Sequence, residues 1–192
     1  DAVRNRLEEL RKARGIKQEE LAAALGLEAL GGFEGGQPGY SGSDLLHALR
    51  PEATRLFVGA PEPAVSPYEG VWRAADDGVQ ALLFVNPHSM EVERFMRACG
   101  LGRPEGTNEP LDHVATECEL MEHLTLRAAG AEPPEGAPAG ADLPGGSPEA
   151  AYGAFLEGHA RTWMPRFAER VAAESRTPFY RDAAALLGAL VG

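Results

Sequence analysis

The residues best placed to do chemistry are Asp112 and His113, in the run Pro110-Leu111-Asp112-His113, with Glu117 and Glu119 following. An aspartate beside a histidine is a pairing that general acid–base catalysis uses, and this one stands where a helix should begin. At about 100° per residue from Leu111, the side chains of Leu111, Val114, Cys118, Leu120, Met121 and Leu124 share one apolar arc. Glu117 falls inside that arc, and a carboxyl group there needs a donor, a cation or a proton. It is therefore expected to be a structural staple or a binding group. Asp112 and His113 fall in the expected first turn, where free N–H groups and the helix dipole favour an aspartate. Catalysis lacks its other members, since no serine or cysteine nucleophile and no metal-ligand set stands at a recognisable spacing from the pair. Two readings stay open for it: a helix cap worth about 1 kcal/mol, and a binding surface.

Other chemically able residues read mostly as packing. Phe155, His159, Trp163 and Phe167 recur four apart, which makes His159 a core histidine on an apolar stripe. His47, His88 and His123 have no ligand spacing, and Cys99 and Cys118 show neither zinc nor redox spacing, so both cysteines are expected to be reduced core residues. Tyr68 and Trp72 follow a proline-rich stretch and are expected to be partly exposed, whereas Phe57 reads as core. The chain has 192 residues, enough for one domain with its own core, and a net charge of −11. That charge disfavours a nucleic-acid partner and favours a cationic one. No run approaches a membrane span and no apolar signal-peptide core opens the chain, which sets a cytoplasmic expectation.

The elements that must position these residues are helical. Alanine, leucine, glutamate and arginine dominate, and sustained alternation is absent, so the fold class is all-α. Residues 1–43 hold two short helices, 3–14 and 18–27, and a glycine-rich loop; residues 44–129 hold the central helices and the Asp-His motif. Ser43 or Asp44 would cap a helix running through Phe57, and the strand-like run 81–85 is expected to be helical for want of a partner. Residues 130–149 contain five glycines and five prolines and read as a flexible or extended linker before a C-terminal helical hairpin, 150–192. Pro165 is expected to kink or end the hairpin's first helix. The linker's length would let the hairpin dock on its own N-terminal part or on a second copy, giving a monomer and a domain-swapped homodimer.

The pattern Pro110-x-Asp112-His113-(apolar)-Ala115-x-Glu117-x-Glu119-(apolar)-Met121 resembles the signature of the TorD/DmsD/NarJ family, cytoplasmic chaperones that mature molybdoenzymes exported by the twin-arginine route. Arg55-Leu56-Phe57-Val58-Gly59, Pro67-Tyr68-Glu69-Gly70-Val71-Trp72, residues 92–101, the Phe155 to Phe167 stripe and Pro178-Phe179-Tyr180 are similar to further family segments in the same order. The resemblance implies a single TorD-like helical bundle over residues 1–192. It also implies a non-enzymatic chaperone, with no cofactor of its own. Such a protein binds the twin-arginine leader and apo-form of a molybdopterin-containing oxidoreductase subunit until cofactor insertion and folding are complete. It places Asp112 and His113, with neighbouring Pro110, on the leader-binding surface. Charge and position add Glu69 and Glu119 as partners for the arginines, and Tyr68, Trp72 and Leu111 as contacts for the leader's hydrophobic stretch. Glu117, Arg55, Phe57, His159 and Trp163 are expected to be structural.

A rival resemblance covers residues 7–26, which are similar to the first two helices of a Cro/repressor-type helix-turn-helix. Six basic residues lie between Arg4 and Lys17, but the segment from Leu27 to Gly36 is too short, glycine-rich and acidic for a recognition helix. A DNA-binding regulator built on residues 1–50 is one alternative. A nucleotide-binding helical protein is another, and it lacks a Gly-x-x-x-x-Gly-Lys-Ser/Thr phosphate cradle.

Overall fold

A computed structural model describes residues 49–79, 86–102, 109–133 and 136–192. The expected N-terminal helices, the cap at 43–44 and the run 81–85 lie outside the described residues. Residues 49–53 are helical and run into a wide π-type turn, Thr54–Val58. Six α-helices follow: α1 Glu69–Asp76, α2 Pro87–Ala98, α3 Val114–Ala128, α4 Pro148–Phe155, α5 Arg161–Glu174 and α6 Pro178–Val191. Among the described residues there is no strand, and an isolated antiparallel bridge pairs Tyr68 with His113. The fold is all-α.

Local chemistry sets the helix starts. Asn86 Oδ1 accepts from His88 N–H at 2.9 Å and Ser147 Oγ accepts from Ala150 N–H at 3.1 Å, with Pro87 and Pro148 opening the helices behind them. Helix α3 begins at Val114 rather than near Leu111, with His113 as its cap. Leu111 and Asp112 are drawn out of the first turn because the backbone on either side of His113 pairs with the chain at Pro67 and Glu69. The arc expected for α3 holds: Leu120, Leu124 and Glu117 are fully buried, while Val114, Cys118 and Met121 pack at its margin.

Two apolar clusters meet along α3 and the α4–α5 rod. One gathers Leu56, Val65, Trp163, Phe167 and Val171 with α6; the other gathers Val92, Met96, Leu120, Leu124 and Phe155 with Leu143. Pro165 sits inside α5 without ending it. Burial of Trp163, Met164, Phe167 and Ala168 on both sides holds the helix across the lost hydrogen bond, and the irregular turn lies upstream at Leu156–Ala160. The described part of the 130–149 segment is anchored to the fold. Leu143 is buried, Arg127 donates to Pro138 O at 2.7 Å, and short 3-10 turns span Gly140–Asp142 and Pro144–Gly146.

The Arg55 side chain joins the early helix to the α5–α6 turn, bonding both Glu52 oxygens at 2.8 and 2.9 Å and Glu174 O at 2.6 Å. Glu52 Oε1 also accepts from Arg176 N–H at 2.6 Å. The guanidinium, followed by the backbone donor, outweighs burial and holds the Glu52 carboxyl at about 2. Phe57 packs beside this pin against Phe167 and Tyr180, at ring separations of 6.1 and 5.6 Å. Among the described residues no helix is long and apolar enough to cross a membrane, and no cluster of three His, Cys, Asp or Glu side chains is placed to hold a metal.

Candidate functional site

The site is built where two extended segments cross. Glu69 N–H donates to Asp112 O at 2.9 Å and Val114 N–H to Pro67 O at 2.8 Å, which brings the rings of Tyr68 and His113 edge to face at 5.2 Å. His113 Nδ1 accepts from Ala115 N–H at 3.1 Å, so the neutral ring carries its proton on Nε2. Burial lowers the His113 pKa against the opposing pull of Glu109, Asp112 and Glu119. Burial, then Glu109 and Asp112, raise that of Tyr68. Both side chains are half-buried and keep an outward face.

Asp112 lies beneath them, 1% exposed. Its Oδ2 accepts from Gly70 N–H at 2.9 Å and from Ser89 Oγ–H at 2.6 Å, so it caps α1 from another segment while His113 caps α3. Among the described residues Oδ1 has no hydrogen-bond partner. Burial raises the Asp112 pKa, the two donors oppose the rise, and Glu69 adds to it. Asn86 completes the layer, its Nδ2 donating to Gly70 O at 2.6 Å.

A second buried layer runs from α1 to α5. Glu69, 0% exposed, accepts from Arg73 Nη1 at 2.7 Å and from His159 Nδ1 at 3.1 and 3.2 Å. His159 is stacked on Phe155 at 4.9 Å. Glu117 Oε2 accepts from Trp163 Nε1–H at 3.1 Å, while Oε1 meets no donor among the described residues. Burial, then the charge of Glu69, pushes the Glu117 carboxyl well above the carboxylate range.

The outward face carries different residues. Glu109 and Glu119 are exposed and their fields reach His113, with Glu109 also acting on Tyr68. Along α1 runs a groove of about 330 Å³ lined by Ala64, Val65, Ser66, Val71, Trp72, Ala75 and Arg170. Trp72 is half-buried, donates Nε1–H to Ser66 O at 2.8 Å and lies 5.8 Å from the Arg166 guanidinium, which is held bidentate by Asp76 at 2.7 Å. Tyr68, Trp72 and His113 thus keep partial exposure and Glu119 is exposed, whereas Pro110, Leu111, Asp112 and Glu69 are buried. In this conformation Asp112 and Glu69 present no oxygen to solvent, contrary to their expected direct meeting with arginines, because partners from α1, α2 and α5 already enclose them. Glu109, Asn86 and Ser89 were missed. The first adjoins the motif and was legible there, whereas the other two are joined to it only by tertiary contact.

The family described as the nitrate reductase delta subunit matches residues 8–169. The chain belongs to this family. That is the family of NarJ and TorD, to which the Asp-His motif pointed. Curated relatives include the chaperone protein TorD of Vibrio cholerae serotype O1 strain M66-2 and that of strain El Tor Inaba N16961. Each is 29% identical over 136 residues, covering 71% of this chain and 56% of the relative. The chain therefore spans little more than half the length of these relatives. No solved structure matches.

Proposed function

We propose that the protein is a cytoplasmic, non-enzymatic maturation chaperone that binds the twin-arginine leader and apo-form of a molybdopterin-containing oxidoreductase subunit and holds it until cofactor insertion. Family membership supports the chaperone class, and the relatives named TorD support it independently. Two observations support the binding mode: exposed Glu109 and Glu119 act on the His113 that packs against Tyr68, and an apolar groove is lined by Trp72. A leader that joins two arginines to an apolar stretch needs both features. The carboxylates meet the guanidinium groups, and Tyr68, Val71 and Trp72 meet the apolar stretch. Arg166 and Arg170 line the groove side and disfavour a second cation there, which sets the arginines at the Glu109/Glu119 end. Asp112, Glu69, Pro110 and Leu111 serve this face from below.

Calorimetry with a leader peptide tests the reading. Binding is expected at micromolar strength, about −8 kcal/mol, and weaker as salt rises. Changing both Glu109 and Glu119 to Gln is expected to cost about 1 kcal/mol, since exposed pairs contribute little each. Trp72→Ala removes apolar contact while leaving the arginine preference. Equal affinity for a leader whose arginine pair is replaced by glutamines would refute the proposal.

A further inference from the structure

Gly70 is held more tightly than any helix requires. Its N–H goes to Asp112 Oδ2 at 2.9 Å and its C=O accepts from Asn86 Nδ2 at 2.6 Å, while Ser89 Oγ–H gives the same Asp112 oxygen a second donor at 2.6 Å. A Cβ at this position would lie 2.9 Å from Asp112 Oδ2 and 3.1 Å from Asn86 Cγ, and would collide with Ser89 Oγ. Three segments therefore close on one backbone unit: the start of α1, the start of α2 and the stretch before α3. Tyr68 stands two residues before Gly70, and His113 directly follows Asp112. The cap residue of α1, Tyr68, makes no side-chain cap of its own, so the anchoring of that first turn falls to Asp112.

We infer that Asn86 and Ser89 are positioning residues for leader binding, acting through this clasp on Gly70 to fix Tyr68 against His113. The inference rests on the leader-binding reading for its consequence and on the clasp alone for its geometry. Side chains already locked before the peptide arrives lose little freedom on binding, and the clasp supplies that order from an element outside the ring pair.

Two substitutions test it. Ser89→Ala removes the second donor to Asp112. Asn86→Asp keeps the oxygen that caps α2 through His88 N–H and replaces the donor to Gly70 O with a carboxylate oxygen that repels it. In the free protein, each should weaken the nuclear Overhauser contact between the Tyr68 and His113 rings and shift the His113 ring resonances. In calorimetry, each should loosen the leader about three- to tenfold, the range for one or two side chains that must be ordered on binding. Ser89→Thr, which retains the hydroxyl, should restore both readouts. Unchanged ring contact and unchanged affinity in both variants overturn the inference. A parent protein that fails to bind the leader refutes the functional reading instead, and the ring contact still decides the clasp.

Discussion

Asp112 gives the sharpest prediction because its two oxygens have different surroundings. Among the described residues, Oδ2 carries two donors at 2.9 and 2.6 Å, and Oδ1 carries none. Asp112→Ala orphans Gly70 N–H, a buried group whose desolvation costs about 1–3 kcal/mol. It also removes the partner of the half-buried Ser89 hydroxyl, which water can in part replace, so the total loss of stability is expected at about 2–4 kcal/mol. Asp112→Asn behaves differently. The amide oxygen takes the place of Oδ2 and keeps both donors, while the amide N–H₂ occupies the unpartnered side. Its unmet donors cost energy, and removing a carboxyl whose ionisation burial disfavours offsets that cost, leaving a net change within about 1 kcal/mol. Urea unfolding of the parent and the two variants measures both values. For leader binding, Asp112→Asn is expected to stay within about 0.5 kcal/mol of the parent, because the clasp survives. A loss of about 1–3 kcal/mol would mean that a leader arginine reaches Oδ1 as a charge-assisted bond. An Asp112→Ala protein as stable as the parent would refute the trans-cap itself.

Glu117→Gln should preserve the bond from Trp163, with the amide oxygen accepting from the indole N–H. Because the Glu117 carboxyl titrates higher in the folded protein than in the unfolded chain, the parent loses stability as pH rises above the ordinary carboxylate value of about 4.5. The variant should therefore gain on the parent as pH rises toward neutrality in thermal melts, and a constant difference across that range would refute a protonated Glu117. His113 works in the opposite direction. Its folded pKa is depressed, so stability is intact above the ordinary histidine value of about 6.5 and is lost as pH falls below it and the ring gives up its cap on Ala115. His113→Asn, with an asparagine able to cap, should remove this component of the acid-side slope. An unchanged slope would mean the ring does not cap α3.

The sequence by itself determined the helical class, the buried arc of α3 with Glu117 inside it, the core stripe of Phe155, His159, Trp163 and Phe167, and the family. These are local properties: propensity, the 3.6-residue period and motif spacing all act over a few turns. Tertiary structure alone decided what the Asp-His pair does. Periodicity put Asp112 in the first turn of α3, yet pairing of Pro67 and Glu69 with the backbone around His113 pulled it out and turned its carboxylate onto Gly70, 42 residues away. The same crossing buried Glu69 against His159, 90 residues on, and left the surface charges to Glu109 and Glu119. Pro165 and Leu143 teach the same point, because packing on both sides of a proline and around one leucine overrode the local preference to break or to remain extended. Burial and charge partners depend on which segments meet, and that information is distributed over the whole chain rather than written in any motif.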